Sequence, residues 1–156
     1  MTNQMDVHVS PTGEKTISKT IQINAPASQV WDVLTKPEVM KKWMSESEIE
    51  IITDWQVGSA FVIRGKLHRI KFENKGQVLQ FEPERILEYS HLSSLSRLPD
   101  TPENYSMVEF RLAPGANETG LTLTLRNFPT ESIDKHLVFY WNVTLEILKR
   151  TIEGQA

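Results

Sequence analysis

Residues 130–154 read TESIDKHLVFYWNVTLEILKRTIEG, and large apolar side chains recur in this stretch every three or four residues. They are Ile133, Leu137, Trp141, Leu145, Leu148 and Ile152. This spacing predicts one long helix with a continuous apolar stripe, which must be buried against another part of the protein. Thr130 or Ser132 can cap the start of this helix, and Gly154 can end it.

Short segments upstream of the helix alternate apolar and polar residues, which is typical of strands with one buried face. The first is KTISKTIQI, which begins at Lys15 and places Ile17, Ile21 and Ile23 on one side. Six further strands are predicted at residues 48–53, 60–64, 77–81, 85–92, 107–113 and 121–127. Gly, Pro and Asn residues lie between most of these strands, so we expect an antiparallel meander.

Two short helices are predicted between the first and second strands, in NAPASQVWDVLTKPEVMKKWM at residues 24–44. Pro26 suits a helix start, and Lys36-Pro37 ends the first helix and begins the second. Because a sheet and an amphipathic helix must cover each other's apolar faces, we expect an α+β fold in which a curved sheet packs around the terminal helix.

Length and composition indicate one domain at residues 15–156, preceded by a polar, disordered leader at residues 1–14. The 17 Lys and Arg against 20 Asp and Glu give a net charge of −3, which disfavours nucleic-acid binding. The chain has no cysteine, which fits a cytoplasmic location, and no apolar run long enough to predict a membrane span.

Five further motifs occur along the chain, and their order and spacing together form a recognisable pattern. They are APASQVWDVLTKPEVMKKW at 25–43, VGSAF at 57–61, GQVLQFEPERILEYS at 76–90, GLTLTLRNF at 120–128 and YWNVTLEIL at 140–148. The series resembles the activator of heat-shock-protein-90 ATPase homologue family, within the START-like, birch-pollen-allergen-like (SRPBCC) superfamily. The resemblance covers about residues 15–153 and implies the helix-grip fold, in which the terminal helix often stands off the sheet and leaves an elongated pocket.

Two positions depart from the pattern of that family. Gly58-Ser59 stands where the family often has a glycine pair, and this change is expected to affect only a hairpin. Tyr140 stands where the family often has a small residue. If its ring points toward Phe61 and Val108, it should narrow a pocket beneath the helix.

The sequence offers little for metal, cofactor or nucleophilic chemistry. His8, His68, His91 and His136 are scattered, so neither a metal site nor a cofactor is expected. Phosphate-binding loops and G-x-S-x-G motifs are absent from the sequence. The alternating Glu46, Glu48 and Glu50 are more typical of the solvent face of a strand than of a catalytic pair.

Apolar and aromatic residues that can converge between the sheet and the terminal helix remain as candidate ligand-binding residues. They are Trp43, Met44, Phe61, Ile63, Tyr89, His91, Val108, Phe110, Leu137, Tyr140, Trp141 and Thr144. For most of them, packing in a filled core is the expected role. His91 shares strand parity with Tyr89 and would point inward, although a strand-end histidine bonded to solvent or backbone is the more frequent arrangement.

Three functions follow from these observations. The first is binding of a small apolar or aromatic molecule by a monomer or homodimer. The second is a polyketide-cyclase-like enzyme, which the superfamily resemblance implies but which lacks an evident acid-base pair here. The third is a co-chaperone-like protein-interaction domain that stimulates a chaperone ATPase, which the family resemblance implies and the single-domain length disfavours. Residues 93–105 hold Pro99 and Pro102 and are expected to form either a lid over the pocket or a disordered excursion.

Overall fold

The computed structural model describes residues 5–154, which form eight strands and three helices. In chain order they are β1 Asp6–Val9, β2 Lys15–Ile23, α1 Ala27–Thr35, α2 Pro37–Met44, β3 Ile49–Thr53, β4 Ala60–Leu67, β5 Ile70–Glu82, β6 Ile86–Ser93, β7 Ser106–Pro114, β8 Thr119–Arg126 and α3 Glu131–Glu153. Two short 3-10 turns, Ser94–Ser96 and Pro102–Asn104, lie between β6 and β7.

The eight strands form one antiparallel sheet in the order β1-β2-β8-β7-β6-β5-β4-β3. Its inner face is apolar because every second residue of each central strand points toward α3. On β8, for example, Leu121, Leu123 and Leu125 are fully buried while Thr122 and Thr124 alternate with them. The curved sheet around one long helix confirms the predicted α+β helix-grip fold.

The apolar stripe of α3 provides the other half of the core. Its last residues, Leu145, Leu148 and Ile152, have no solvent-accessible surface. The Thr130 hydroxyl accepts a hydrogen bond from the backbone N–H of Ile133 at 3.1 Å, so Thr130 rather than Ser132 caps the helix. None of the helices within residues 5–154 is both long and apolar enough to cross a membrane.

Helices α1 and α2 close one end of the core. Val30 and Leu34 of α1 are fully buried, and Lys36 both ends α1 and precedes Pro37 at the start of α2. The indole N–H of Trp43 donates a hydrogen bond to the carbonyl of Val33 at 2.8 Å. This bond fixes α2 against α1, so the last residue of α2 has a defined position beside α3.

The segment before Lys15 differs from the expected disordered leader. Asp6–Val9 forms β1 and pairs with β2 from Asp6 opposite Ser18 to Val9 opposite Lys15. A turn closed by a hydrogen bond from the Gly13 N–H to the Ser10 carbonyl joins the two strands. The leader prediction is therefore wrong for residues 5–14, because backbone pairing stabilises β1 although its four side chains are exposed, and Met5 before it is buried in the core. Residues 1–4 lie outside the described residues.

The hairpin between β4 and β5 is also longer than predicted. The two strands continue to Leu67 opposite Ile70, and only His68 and Arg69 form the turn. Both have positive φ angles, 51° and 70°, as a two-residue hairpin turn requires. Asn and Gly are the usual signals for such a turn, and neither is present, so the sequence pattern gave no sign of the hairpin end.

Residues 93–105 form an ordered connection. Lys75 and Asp100 form an ion pair at 2.5 Å, and the Tyr105 hydroxyl donates to Asp100 at 2.6 Å. The hydrogen bond from Lys75 is the largest cause that lowers the pKa of the Asp100 carboxyl. The side-chain amide of Asn127 donates to the carbonyl of Tyr105 at 2.7 Å. The loop is thus attached to β5 and to Asn127, the residue after β8, which differs from a disordered excursion.

Truncating the buried stripe of α3 should destabilise the whole protein. Leu145→Ala removes a fully buried side chain from the helix–sheet contact, and such a change costs about 2–5 kcal/mol of the free energy of unfolding. Val143→Ala, on the exposed side of the same helix, is the control and should cost well under about 1 kcal/mol. Urea unfolding measures both; equal destabilisation would contradict the packing described.

Candidate functional site

A cavity of about 320 Å³ lies between the first half of α3 and the inner face of the sheet. The end of α2 and strands β3 to β7 complete its wall. Its lining residues are Met44, Ser45, Ile49, Ile63, Lys66, Leu67, Phe72, Asn74, Tyr89, His91, Ser93, Leu95, Val108, His136, Leu137, Tyr140 and Trp141. Most of this wall is apolar, and the size suits a small organic molecule.

The two halves of α3 differ in how they meet the sheet. His136, Leu137, Tyr140 and Trp141 of the first half line the cavity, whereas the stripe from Leu145 onward is fully buried and does not. The ring of Trp141 meets Phe110 of β7 edge-on, with centroids 5.5 Å apart. This aromatic pair packs between the helix and the sheet at the edge of the cavity, which Trp141 also lines.

Eight of the twelve candidate ligand-binding residues line this cavity. They are Met44, Ile63, Tyr89, His91, Val108, Leu137, Tyr140 and Trp141. Strand parity brings Ile63, Tyr89, His91 and Val108 to the inner face, as the alternating pattern predicts.

The other four candidates belong to the packed core around the cavity. Trp43 is buried against α1 and α3, and its ring lies 6.4 Å from that of Trp141. Phe61 is buried, with its ring 4.4 Å from that of Tyr89, and Phe110 supports Trp141. Thr144 is buried on α3 one turn beyond the cavity. These four residues do not line the cavity but pack in the core around it.

Tyr140 connects α3 to the end of α2. Its hydroxyl donates a hydrogen bond of 2.6 Å to the carbonyl of Met44, which the last turn of α2 leaves without a helical partner. Burial raises the pKa of Tyr140 to about 12, so the hydroxyl keeps its proton at neutral pH. The ring therefore forms a side wall of the cavity, which differs from the orientation toward Phe61 that would have filled it.

Five polar residues of the sheet line the cavity, Lys66 and Ser93 near its opening and Asn74, Tyr89 and His91 farther along β5 and β6. The Oδ1 atom of Asn74 is buried and has no hydrogen-bond partner in the described part of the chain. Burial raises the pKa of the Tyr89 phenol and lowers the pKa of His91 to about 4, with a smaller contribution from His136 to the latter. Tyr89 and His91 are therefore neutral at neutral pH.

Several lining residues were absent from the sequence prediction. Lys66, Leu67, Phe72 and Asn74 belong to the part of the β4–β5 hairpin that the pattern did not reveal. With the hairpin known, the parity of Ile63 would have placed Leu67 on the same face. Leu95 comes from the 3-10 turn after β6, and no periodic signal marks it.

The cavity continues into a neighbouring hollow of about 250 Å³ near the start of β7. The two share His91, Ser93, Leu95, His136 and Leu137. Only Ser93 and Leu95 of the predicted lid reach the main cavity, so the loop forms part of the wall near its opening.

The buried carboxylates of the sheet lie outside the cavity. Glu88 and Glu109 are buried, but they lie on the outer face of the sheet, opposite each other on β6 and β7, where Arg126 pairs with both. The residues that line the cavity include no Asp or Glu. Residues 5–154 contain no cluster of three or more His, Asp or Glu side chains that could hold a metal ion.

Solved structures with this architecture come from several bacteria. A protein from Cytophaga hutchinsonii is 35% identical over 97% of this chain and 98% of that chain, with a TM-score of 0.77. A Chromobacterium violaceum protein is 21% identical over 88% and 96% of the two chains, with a TM-score of 0.75. CalU16 from Micromonospora echinospora is 24% identical over 97% and 85%, with a TM-score of 0.70.

The family model described as Activator of Hsp90 ATPase homolog 1-like protein matches residues 24–153. A comparison with curated proteins finds no match. The match starts in the segment before α1 and ends at the last residue of α3, so it includes most of the sheet, all three helices and the cavity. The chain therefore belongs to the Activator of Hsp90 ATPase homolog 1-like family.

Proposed function

We propose that this protein binds a small apolar or aromatic molecule with one polar group in the cavity beneath the first half of α3. The observation that carries the proposal is the combination of a largely apolar wall with Asn74, Tyr89 and His91 on the sheet side. Membership of a family with this fold supports a ligand-binding role.

The size of the cavity sets the expected affinity. Burying about 300 Å² of apolar ligand surface contributes roughly 7 kcal/mol, before the cost of association is subtracted. Because that cost is several kcal/mol, the account predicts micromolar binding at best, unless polar groups add to it. A planar molecule of one or two rings fits the volume of about 320 Å³.

The polar side chains define what the ligand must offer. The buried Oδ1 of Asn74 has no partner among residues 5–154, so a hydroxyl or N–H on the ligand would supply its missing hydrogen bond. Tyr89 can donate or accept, and the neutral His91 can do either through its two ring nitrogens. A ligand hydroxyl fits all three side chains, whereas a purely apolar ligand would leave the Asn74 oxygen without a partner.

We favour binding over catalysis because the residues that line the cavity include no Asp or Glu that could form an acid-base pair with His91 or His136. A general base works best with a pKa near the working pH, and burial lowers the pKa of His91 to about 4. Analysis of the bound molecule by mass spectrometry after incubation tests this point: recovery of an altered molecule would support the cyclase-like alternative.

We further propose that the protein acts in the cytoplasm, because its sequence has no cysteine for disulfide bonds.

Filling the cavity should abolish binding. Ile63→Trp adds a large ring to the inner face of β4, where Ile63 lines the cavity. Ile52→Trp makes the same change at an exposed position on β3. Calorimetric titration with 2-naphthol, which carries one hydroxyl on a planar ring system, should give micromolar binding to the wild type and the control, and at least about tenfold weaker binding to Ile63→Trp.

Two outcomes of this titration would contradict the proposal. Equal affinity of both variants for 2-naphthol would show that the compound binds elsewhere on the protein. Failure of the wild type to bind 2-naphthol or related hydroxylated aromatic compounds at millimolar concentration would show that the cavity does not accept such molecules. Melting curves of both variants verify that each is folded.

The His91 environment should make stability depend on pH. The folded pKa of His91, about 4, lies below the ordinary value of 6.5, so the unfolded chain takes up the proton first as pH falls. The contribution of the neutral His91 to the free energy of unfolding is fully present above about pH 6.5 and is lost progressively toward pH 4. Between about pH 7.5 and about pH 5, this loss amounts to at most about 2 kcal/mol.

His91→Gln should remove this part of the pH dependence. Urea unfolding at the two pH values measures it, and the free energy lost by the variant should be smaller than that lost by the wild type. His8→Gln, on the exposed strand β1, is the control and should match the wild type. An identical loss in His91→Gln and the wild type would show that His91 titrates normally in the folded protein.

A further inference from the structure

The end of the β4–β5 hairpin projects beyond the rest of the sheet. Strand β3 begins at Ile49, opposite Gly65, and β6 ends at Ser93, opposite Asn74. Residues 66–71, called the hairpin tip below, thus have no neighbouring strand on either side. The tip stands beside the opening of the cavity, because Lys66 and Leu67 also line it.

Large aliphatic side chains are exposed on this tip. Leu67 and Ile70 lie directly opposite each other across the two strands, with 44% and 59% of their surface accessible. Leu95, on the adjacent 3-10 turn, is also 44% exposed and lines the cavity. Exposed side chains of this size at the end of a narrow hairpin are costly in water and suit transfer into an apolar medium.

The same six residues are strongly basic. Lys66, Arg69 and Lys71 carry three positive charges in KLHRIK, with no acidic residue among them, in a chain whose net charge is −3. They form no ion pair with any residue in 5–154. Glu50 of β3 and Glu73 of β5 both lie opposite Arg64, and Glu73 pairs with it at 2.8 Å. These two and Glu48 line the same hollow as Lys66 and Lys71 without forming an ion pair with them.

We propose that the hairpin tip docks on anionic membrane surfaces, with Leu67 and Ile70 inserted among the lipid chains and the three basic residues at the headgroups. This arrangement turns the cavity opening toward the bilayer, where apolar molecules concentrate. Docking does not depend on the proposed function, but the transfer of a ligand between bilayer and cavity rests on it.

A membrane fits these features better than an acidic protein partner does. The tip is only six residues long, whereas a stable protein interface takes about 800 Å² from each partner. Two isolated aliphatic side chains surrounded by Lys and Arg match the pattern of peripheral membrane anchors, in which apolar insertion and attraction to anionic lipids act together.

Sedimentation with lipid vesicles tests the proposal. The protein is mixed with vesicles of phosphatidylcholine alone or of equal parts phosphatidylcholine and phosphatidylserine. The tip variant is Arg69→Asn with Ile70→Ser and Lys71→Gln, in which Asn tolerates the positive φ of Arg69 and no change touches the cavity lining. The control makes a matched set of exposed changes elsewhere, Arg85→Asn with Val57→Ser and Lys135→Gln.

We expect wild type and control to bind the anionic vesicles and the tip variant to bind them at least about thirtyfold more weakly. An equal loss of vesicle binding in the tip variant and the control would show that only the overall charge of the protein attracts it to the vesicles, and this result would overturn the proposal. So would absence of wild-type binding, an outcome that an acidic protein partner for the tip would also produce. Titration with 2-naphthol separates the two proposals, because the tip variant should bind it with wild-type affinity.

Discussion

The structure depends on burying the apolar stripe of α3 against a curved sheet. In the second half of the helix the stripe residues Leu145, Leu148 and Ile152 are completely buried, and each contributes packing energy to the core. The first half is held differently. Trp141 rests edge-on against Phe110, and the Tyr140 hydroxyl is bonded to the end of α2. One helix therefore both closes the core and leaves a space beside it, so the cavity is a direct consequence of how this element is attached.

Much of the fold could be predicted because its signals are local. The three- and four-residue spacing in α3 and the alternation in β8 each reflect one buried face, and Lys36-Pro37 marks the break between α1 and α2. The errors arose where backbone bonding acts without a side-chain pattern. Strand β1 is exposed on both faces and is stabilised by pairing with β2. The β4–β5 turn uses His68 and Arg69 in a conformation that usually selects Asn or Gly.

The site was predictable to the extent that strand parity determines it. Tyr89 and His91 face inward because they alternate with Glu88 and Ser90, and the same rule places Val108. Parity cannot distinguish a residue that lines a space from one that is packed, so Phe61 and Phe110 were included although they belong to the core. Nor could it show that Tyr140 reaches sideways to α2, because that contact joins residues 96 positions apart.

The central claim is that a small molecule occupies the space between the first half of α3 and the sheet. The most direct measurement is the set of intermolecular nuclear Overhauser effects between bound 2-naphthol and methyl groups of the protein. The account predicts contacts with Ile63, Val108 and Leu137, which line the cavity, and none with Leu148 in the packed half of the stripe. Contacts confined to the exposed Val143 on the outer side of α3 would contradict it.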